Sequence, residues 1–308
     1  GERGVSVVRL GMALDRCFQT FGLEIKHLCG HSIGEWSGLI CGGYFNEADI
    51  EPFISGLDPK GLSVPEVAFV AAGTSRKGVE ALLEETMDAN PPDLGIYCSH
   101  DNCPHQSIFC VPLELVEEVI NTLKEGGVIA HELPFRSGFH APHFEPYASE
   151  MSRHLRTLNL QSPHRTLWSA TTVAPYPQDT DSFYRLGGQH LIEAVRFREL
   201  IERLYSEGVR VFVQMGVGSL SSFVSDTLRG RPHRVIDAHS ERLSAWSQWL
   251  KLAGSLFAEG APLSFDRLHM PGWSSDLAIP LELGASSMTF NSTTRQAVPR
   301  DVGAQLGE

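Results

Sequence analysis

The sequence predicts a mixed α/β protein in which a smaller unit interrupts a larger core, and three observations carry that reading. A serine sits between two glycines in Gly30-His31-Ser32-Ile33-Gly34, with a strand-like run before it and a helical pattern after it. Residues 64–132 set short apolar runs and helical stretches in the order β-α-β-β-α-β, which is the order of a ferredoxin-like unit. The chain's 308 residues exceed the usual size of one core, so a large domain carrying an inserted smaller one is expected.

Residues 5–22 place apolar side chains near helical spacing and stop at Gly22, a fitting C-cap. Leu23 to Cys29 is short, apolar and partly β-branched, and reads as a buried strand feeding the sharp turn at Gly30. From Glu35 the pattern is helical again. In the inserted unit, Val64 to Ala72 is an apolar run, Lys77 to Met87 a helix, Leu113 to Lys124 a second helix and Gly127 to Glu132 a last run, with two strand-like runs between the helices. After it, 148–158 and 191–206 read as helices, and Val209 to Gln214 as a strand ending at Gly216 and Gly218. Beyond Pro262 the chain is rich in Pro, Gly and Ser. The expected division is a core from 1–63 and 133–262, the ferredoxin-like unit at 64–132 and a C-terminal linker region at 263–308.

Composition narrows the partners. The net charge is −12, with no long Lys/Arg run, so the electrostatic footprint of a nucleic-acid binder is absent. The short basic cluster from Arg229 to Arg234 reads as a solvated loop. No run approaches the eighteen or so apolar residues of a membrane span, and the N-terminus lacks the order of a signal peptide, which makes the cytoplasm the expected location. Six scattered cysteines agree with a reducing compartment.

A serine hydroxyl becomes a useful nucleophile when its geometry exposes it and a base takes its proton. A strand-turn-helix elbow does the first, because flanking glycines permit the turn and the helix start points free N–H groups at the site. The amide of Ile33 is the natural donor to an acyl oxyanion. His31 reads as a structural neighbour, while His140 and His143, in the loop from Leu133 to Tyr147, are the candidates for the base. A hydrolase order of serine, acid and histidine would instead use Asp181 and His239. Cys98, His100, Cys103 and His105 are residue types that bind zinc, but their spacing is unusual for a zinc site, and no metal or bound cofactor is expected.

Four pieces together resemble the acyltransferase domains of polyketide and fatty acid synthases, related to malonyl-CoA:acyl carrier protein transacylase. They are GHSIGEWSG at 30–38, SGFHAPHFEP at 137–146, EAVRF at 193–197 and EGVRVFVQMGVGSL at 207–220. Their order agrees with the family's from about residue 5 to residue 260. The resemblance implies an α/β-hydrolase-like core carrying the ferredoxin-like unit. It also implies a ping-pong reaction: Ser32 takes an acyl group from a coenzyme A thioester and hands it to the phosphopantetheine thiol of an acyl carrier protein, with neighbouring synthase domains as further partners. His140 matches the family's catalytic histidine, and His190 falls where the family has an Asn or Gln whose backbone carbonyl orients it.

Three departures bear on the reaction. The family's opening strand, with a glutamine that serves the oxyanion hole, has no counterpart in the 31 residues before Ser32. The chain is therefore expected to be part of a larger protein, and one lost donor costs roughly a hundred- to a thousandfold in rate. Leu57 stands where malonyl-specific members keep an arginine that grips the substrate carboxylate, and leucine cannot replace that planar fork; Arg136 is the candidate substitute. Ser137-Gly138-Phe139 precede His140 in the acyl pocket, and Phe139 resembles the malonyl-selecting pattern. A small acyl group, malonyl or acetyl, is expected, and GEWSG with the missing arginine resembles the iterative enediyne or polyunsaturated fatty acid type. The competing classes are a serine hydrolase or thioesterase and a non-catalytic carrier-protein docking module.

Overall fold

The computed structural model describes residues 2–46, 48–49, 66–240, 242–264, 279–283 and 286–290. These residues divide into two compact units, Gly1–Leu263 and Ser264–Glu308. The chain is mixed α/β, and no described helix is long and apolar enough to cross a membrane.

The first unit opens with helix α1, Glu2–Thr20, whose Phe18 is fully buried. Gly22, at φ 70°, turns the chain out of it. Strand β1 is only His27–Cys29, shorter than the run read from the sequence, and it leads through the serine turn into α2, Gly34–Cys41.

Between residues 67 and 132 the elements come in the expected order. These elements are β2 Val67–Ala72, α3 Arg76–Met87, β3 Tyr97–Cys103, β4 Gln106–Pro112, α4 Val116–Glu125 and β5 Ala130–Glu132. They make a four-stranded sheet in the order β3-β4-β2-β5, antiparallel throughout. Strand β2 is buried along its whole length, because successive side chains face opposite sides of a sheet and both sides are covered here. Ala68, Val70 and Ala72 pack with Val79, Leu83 and Val119 of the two helices. Val67 and Phe69 face the other way and pack with Cys110 and with Ala141, next to His140. The sheet's second face is therefore applied to the core beside the site.

Beyond it come α5 Glu145–Leu155, β6 Thr166–Ser169 and β7 Ala174–Pro175. Strand β1 pairs in parallel with β6, Leu28 opposite Leu167, and β7 joins β6 antiparallel. Next are α6 Thr180–Ile192 and α7 Phe197–Ser206. The sequence pattern runs one helix through 191–206, but the chain leaves the helical conformation at Glu193 (φ −104°, ψ 152°). The cause is Val195: its N–H donates to Ser99 O and its carbonyl accepts from Asp101 N–H, both at 2.9 Å. Its side chain is fully buried. A short bridge to strand β3 therefore outweighs local helical periodicity.

Strand β8, Val211–Gln214, and β9, Arg234–Asp237, pair in parallel across α8, Leu220–Thr227. Helix α9, Ala245–Ala258, follows, its Leu252 and Leu256 packed with Phe18 and Ile236. In the second unit, where a linker is expected, the described residues form a hairpin of β10 Ile279–Leu283 and β11 Ser286–Phe290.

Candidate active site

Gly30 ends β1 so tightly that a Cβ there would lie 2.2 Å from the Glu35 nitrogen. Only glycine fits. At Gly34 the added carbon meets nothing within 4 Å, so the close approach resides in the first glycine rather than in both. Between them Ser32 takes φ 52°, and His140 takes φ 62°. Each such left-handed residue costs roughly 1 to 3 kcal/mol and persists where its surroundings enforce it. Here two of them meet: Ser32 Oγ lies 2.6 Å from His140 Nε2.

The histidine's orientation follows from its other nitrogen. His140 Nδ1 is 2.8 Å from the His190 carbonyl, which can only accept. That places the proton on Nδ1 and leaves the Nε2 lone pair facing the serine hydroxyl. The His140 backbone N–H donates to Leu191 O at 2.8 Å, so the end of α6 holds this residue twice. His140 is buried. Burial, then the neighbouring His190 and His31, hold its pKa well below the ordinary value, which keeps the base unprotonated at neutral pH.

Around this pair lies a cluster that sequence reasoning missed. His100, on β3, stands edge-on to His140 at 5.0 Å between ring centres and stacks on His31 at 5.2 Å. Burial, then His140, His31 and His190, push the His100 pKa well down. His31 donates from Nε2 to Asn102 Oδ1 at 2.7 Å, and burial lowers its pKa against the opposing hydrogen bond. Glu35, on the first turn of α2, is 1% exposed. Its Oε1 accepts from Ala170 N–H at 2.8 Å and its Oε2 from the Tyr176 hydroxyl. The signal for Glu35 was present as an acid three residues after Ser32 in an apolar helix; for His100 and Asn102, only the fold brings them in.

The remaining candidates are distributed unevenly. The Ile33 N–H has no acceptor among the described hydrogen bonds and belongs to the first turn after Ser32. Phe139 stacks on Phe144 at 4.1 Å, and its N–H donates to Ser137 Oγ at 3.1 Å; Gly138 is buried. Arg136 has a side chain 56% exposed and 4.0 Å from Glu132. His143 packs on Tyr97 instead of on Ser32. Leu57 lies outside the described residues. The zinc-type residues do not converge on one point: Cys98 packs in the core of the four-stranded sheet, His100 faces His31 and His140, and Cys103 and His105 both reach Asp226. Asp181 is exposed on the first turn of α6. After β8, Gln214 donates to the carbonyls of Gly216 and Gly218 and accepts from Ser221, which fixes that glycine turn.

Fold and site thus define an α/β protein with a serine–histidine pair at a strand-to-helix elbow. Comparison with known proteins narrows the class. The chain is 27% identical over 302 residues to polyketide synthase GfsA of Streptomyces halstedii, covering 94% of this chain and 4% of that protein. It is 24% identical over 239 residues to the malonyl CoA-acyl carrier protein transacylase of Bacillus subtilis, covering 76% and 74%. The acyltransferase domain from the second module of the salinomycin polyketide synthase superposes with a TM-score of 0.72 at 21% identity, covering 90% of this chain and 64% of that one. An acyltransferase domain of an iterative enediyne polyketide synthase gives 0.70 at 18%, covering 86% and 68%. The fold is that of these domains. No family profile matches the chain, and it spans only 4% and 12% of the first two synthases it resembles.

Proposed function

We propose that this chain is an acyl-CoA:acyl carrier protein acyltransferase of the polyketide synthase kind, working through an acyl-Ser32 intermediate. The observation that carries the reading is the chain of contacts from Ser32 Oγ to His140 Nε2 at 2.6 Å and from His140 Nδ1 to the His190 carbonyl at 2.8 Å. A carbonyl partner leaves no role for a buried Asp. The finer architecture is read as an α/β-hydrolase-like core, 1–63 and 133–262, with the antiparallel four-stranded unit as its ferredoxin-like insertion.

In the first half-reaction the Ser32 oxygen bonds the thioester carbonyl carbon while its proton passes to His140 Nε2. The oxyanion lies against the Ile33 N–H and the positive end of α2. Collapse breaks the C–S bond, and His140 returns the proton to the departing coenzyme A sulfur. In the second half-reaction the phosphopantetheine thiol of the carrier protein gives its proton to His140, attacks the acyl ester, and Ser32 regains its hydrogen. No bound cofactor enters this cycle; coenzyme A is the substrate's carrier. The pocket beside His140 carries Phe139, whose ring fills space and favours a small acyl group, malonyl or acetyl.

Intact-mass measurement after mixing the protein with malonyl-CoA or acetyl-CoA tests this directly. A gain of one acyl group, absent in Ser32→Ala and strongly slowed in His140→Ala, is expected, and the acyl group should leave when a phosphopantetheinylated carrier protein is added. Acyl-Ser32 formation that survives His140→Ala but not His239→Ala would favour a hydrolase arrangement. No mass gain from any acyl-CoA would favour a docking module.

A further inference from the structure

His100 is a polar side chain only 8% exposed, and one of its ring nitrogens has no partner. Its Nδ1 lies 2.9 Å from Ser99 Oγ, and that hydroxyl spends its single proton on the Ile108 carbonyl at 3.0 Å. Ser99 Oγ must therefore accept from His100, which puts the ring proton on Nδ1 and leaves a lone pair on Nε2. Among the described residues Nε2 has no hydrogen-bond partner. The fully covered side-chain atoms in that position are His143 Nδ1 and Thr227 Oγ1; Nε2 is not one of them, so it opens onto accessible space. The ring is held beside the reacting pair. It stands edge-on to His140 at 5.0 Å between centres, and His140 Nε2 is 2.6 Å from Ser32 Oγ. His31 stacks on its face at 5.2 Å and Phe69 meets it edge-on at 5.9 Å, which fixes the direction of the open nitrogen.

We infer that His100 is a specificity-determining residue whose Nε2 accepts a hydrogen bond from the acyl group on Ser32, selecting a short acyl chain that ends in a hydroxyl over one that ends in a methyl or a carboxylate. The inference rests on the reading of Ser32 as the acyl carrier. A hydroxyl satisfies the open nitrogen. A methyl leaves it unpaired in a site closed to water, and sites built to bond a polar group reject the analogue that lacks it. A carboxylate is worse matched, because it brings lone pairs and a charge to an atom that can only accept. Burial keeps this ring unprotonated, so it has no proton to offer a carboxylate.

Thioesters with acyl chains of equal length isolate the terminal group: propionyl-CoA ends in a methyl, 3-hydroxypropionyl-CoA in a hydroxyl and malonyl-CoA in a carboxylate. Pairwise competition on the whole protein at neutral pH, read as the mass of acyl-Ser32, gives the ratios of acylation rates. The parent should prefer the hydroxyl over the methyl by about tenfold, and over the carboxylate by at least as much. His100→Leu removes the acceptor, and its preference for hydroxyl over methyl should fall to within about twofold. His100→Gln supplies both an acceptor and a donor; it should keep the hydroxyl preference and raise malonyl transfer relative to propionyl by about fivefold. A merely structural histidine would change all the rates together and leave their ratios alone. Parent ratios carried unchanged into His100→Leu would therefore overturn the assignment. So would equal rates for propionyl and 3-hydroxypropionyl in the parent, a reading that needs no variant to fold. A parent that acquires no acyl group from any of these thioesters would sink the acyl-serine reading itself, and the selectivity with it.

Discussion

Asn102 Oδ1 sits 2.7 Å from His31 Nε2, so the end of strand β3 holds the residue beside Ser32. The amide is fixed in that sense because Asn102 Nδ2 donates to Gln106 Oε1 at 2.9 Å. Removing the acceptor in Asn102→Ala strands a histidine N–H at a cost of about 1 to 3 kcal/mol. The expected outcome is a lower denaturation midpoint and roughly tenfold slower Ser32 acylation, since small displacements of a reacting oxygen are costly. Unchanged acylation in a variant that has lost stability would mean that the strand end supports the fold but not the serine.

The two glycines around Ser32 make opposite demands. Gly30→Ala drives a carbon to 2.2 Å from backbone, where nothing flexible can give way, and should leave little folded protein. Gly34→Ala meets open space at the first position of α2, where alanine is better than glycine by roughly 0.5 to 1 kcal/mol. Thermal denaturation of the pair checks both; a stable Gly30→Ala would show that the elbow has another conformation.

The histidine cluster predicts an acid limit to stability. Burial lowers the pKa of His31, and lowers those of His100 and His140 well below 6.5, so the unfolded chain binds protons that the folded chain refuses. Stability is therefore full above about pH 6.5 and is lost as the pH falls toward the folded-state values. The denaturation midpoint should drop steadily from about pH 6.5 to pH 5. His100→Asn, which removes one of the three, should flatten that slope. An equal slope in the variant would assign the acid sensitivity elsewhere.

How far the sequence disclosed this arrangement depends on the range of the contacts. The elements between residues 67 and 132 were legible almost one by one, because those strands and helices carry strong local periodicity. The serine turn was legible too, since glycine spacing encodes it within five residues. The break at Glu193 to Arg196 was not: Val195 pairs with Ser99 and Asp101, nearly a hundred positions away in the chain, and local pattern favours helix there. His100, Asn102 and Thr171 escaped for the same reason. Each is placed by strand pairing or by a loop, and nothing adjacent in sequence marks it as a neighbour of His140 or His190.

Acyl selectivity gives the last prediction. A carboxylated acyl group needs a planar cation to hold it, and Arg136 was the candidate in the absence of an arginine at position 57. Its side chain is 56% exposed and lies 4.0 Å from Glu132, where solvent competes for any carboxylate and such exposed pairs are worth about 0 to 1 kcal/mol. Arg136→Ala should therefore change the ratio of malonyl-CoA to acetyl-CoA acylation rates by less than about threefold. Both rates should stay near those of the parent protein, and competition between the two thioesters, read as the mass of acyl-Ser32, measures the ratio in one experiment. A collapse of malonyl transfer alone would place Arg136 on the substrate carboxylate. A strong malonyl preference that persists in the variant would instead assign the carboxylate to a different polar group, and the histidine cluster beside Ser32, with His100 and His31 at its centre, is then the place to substitute next.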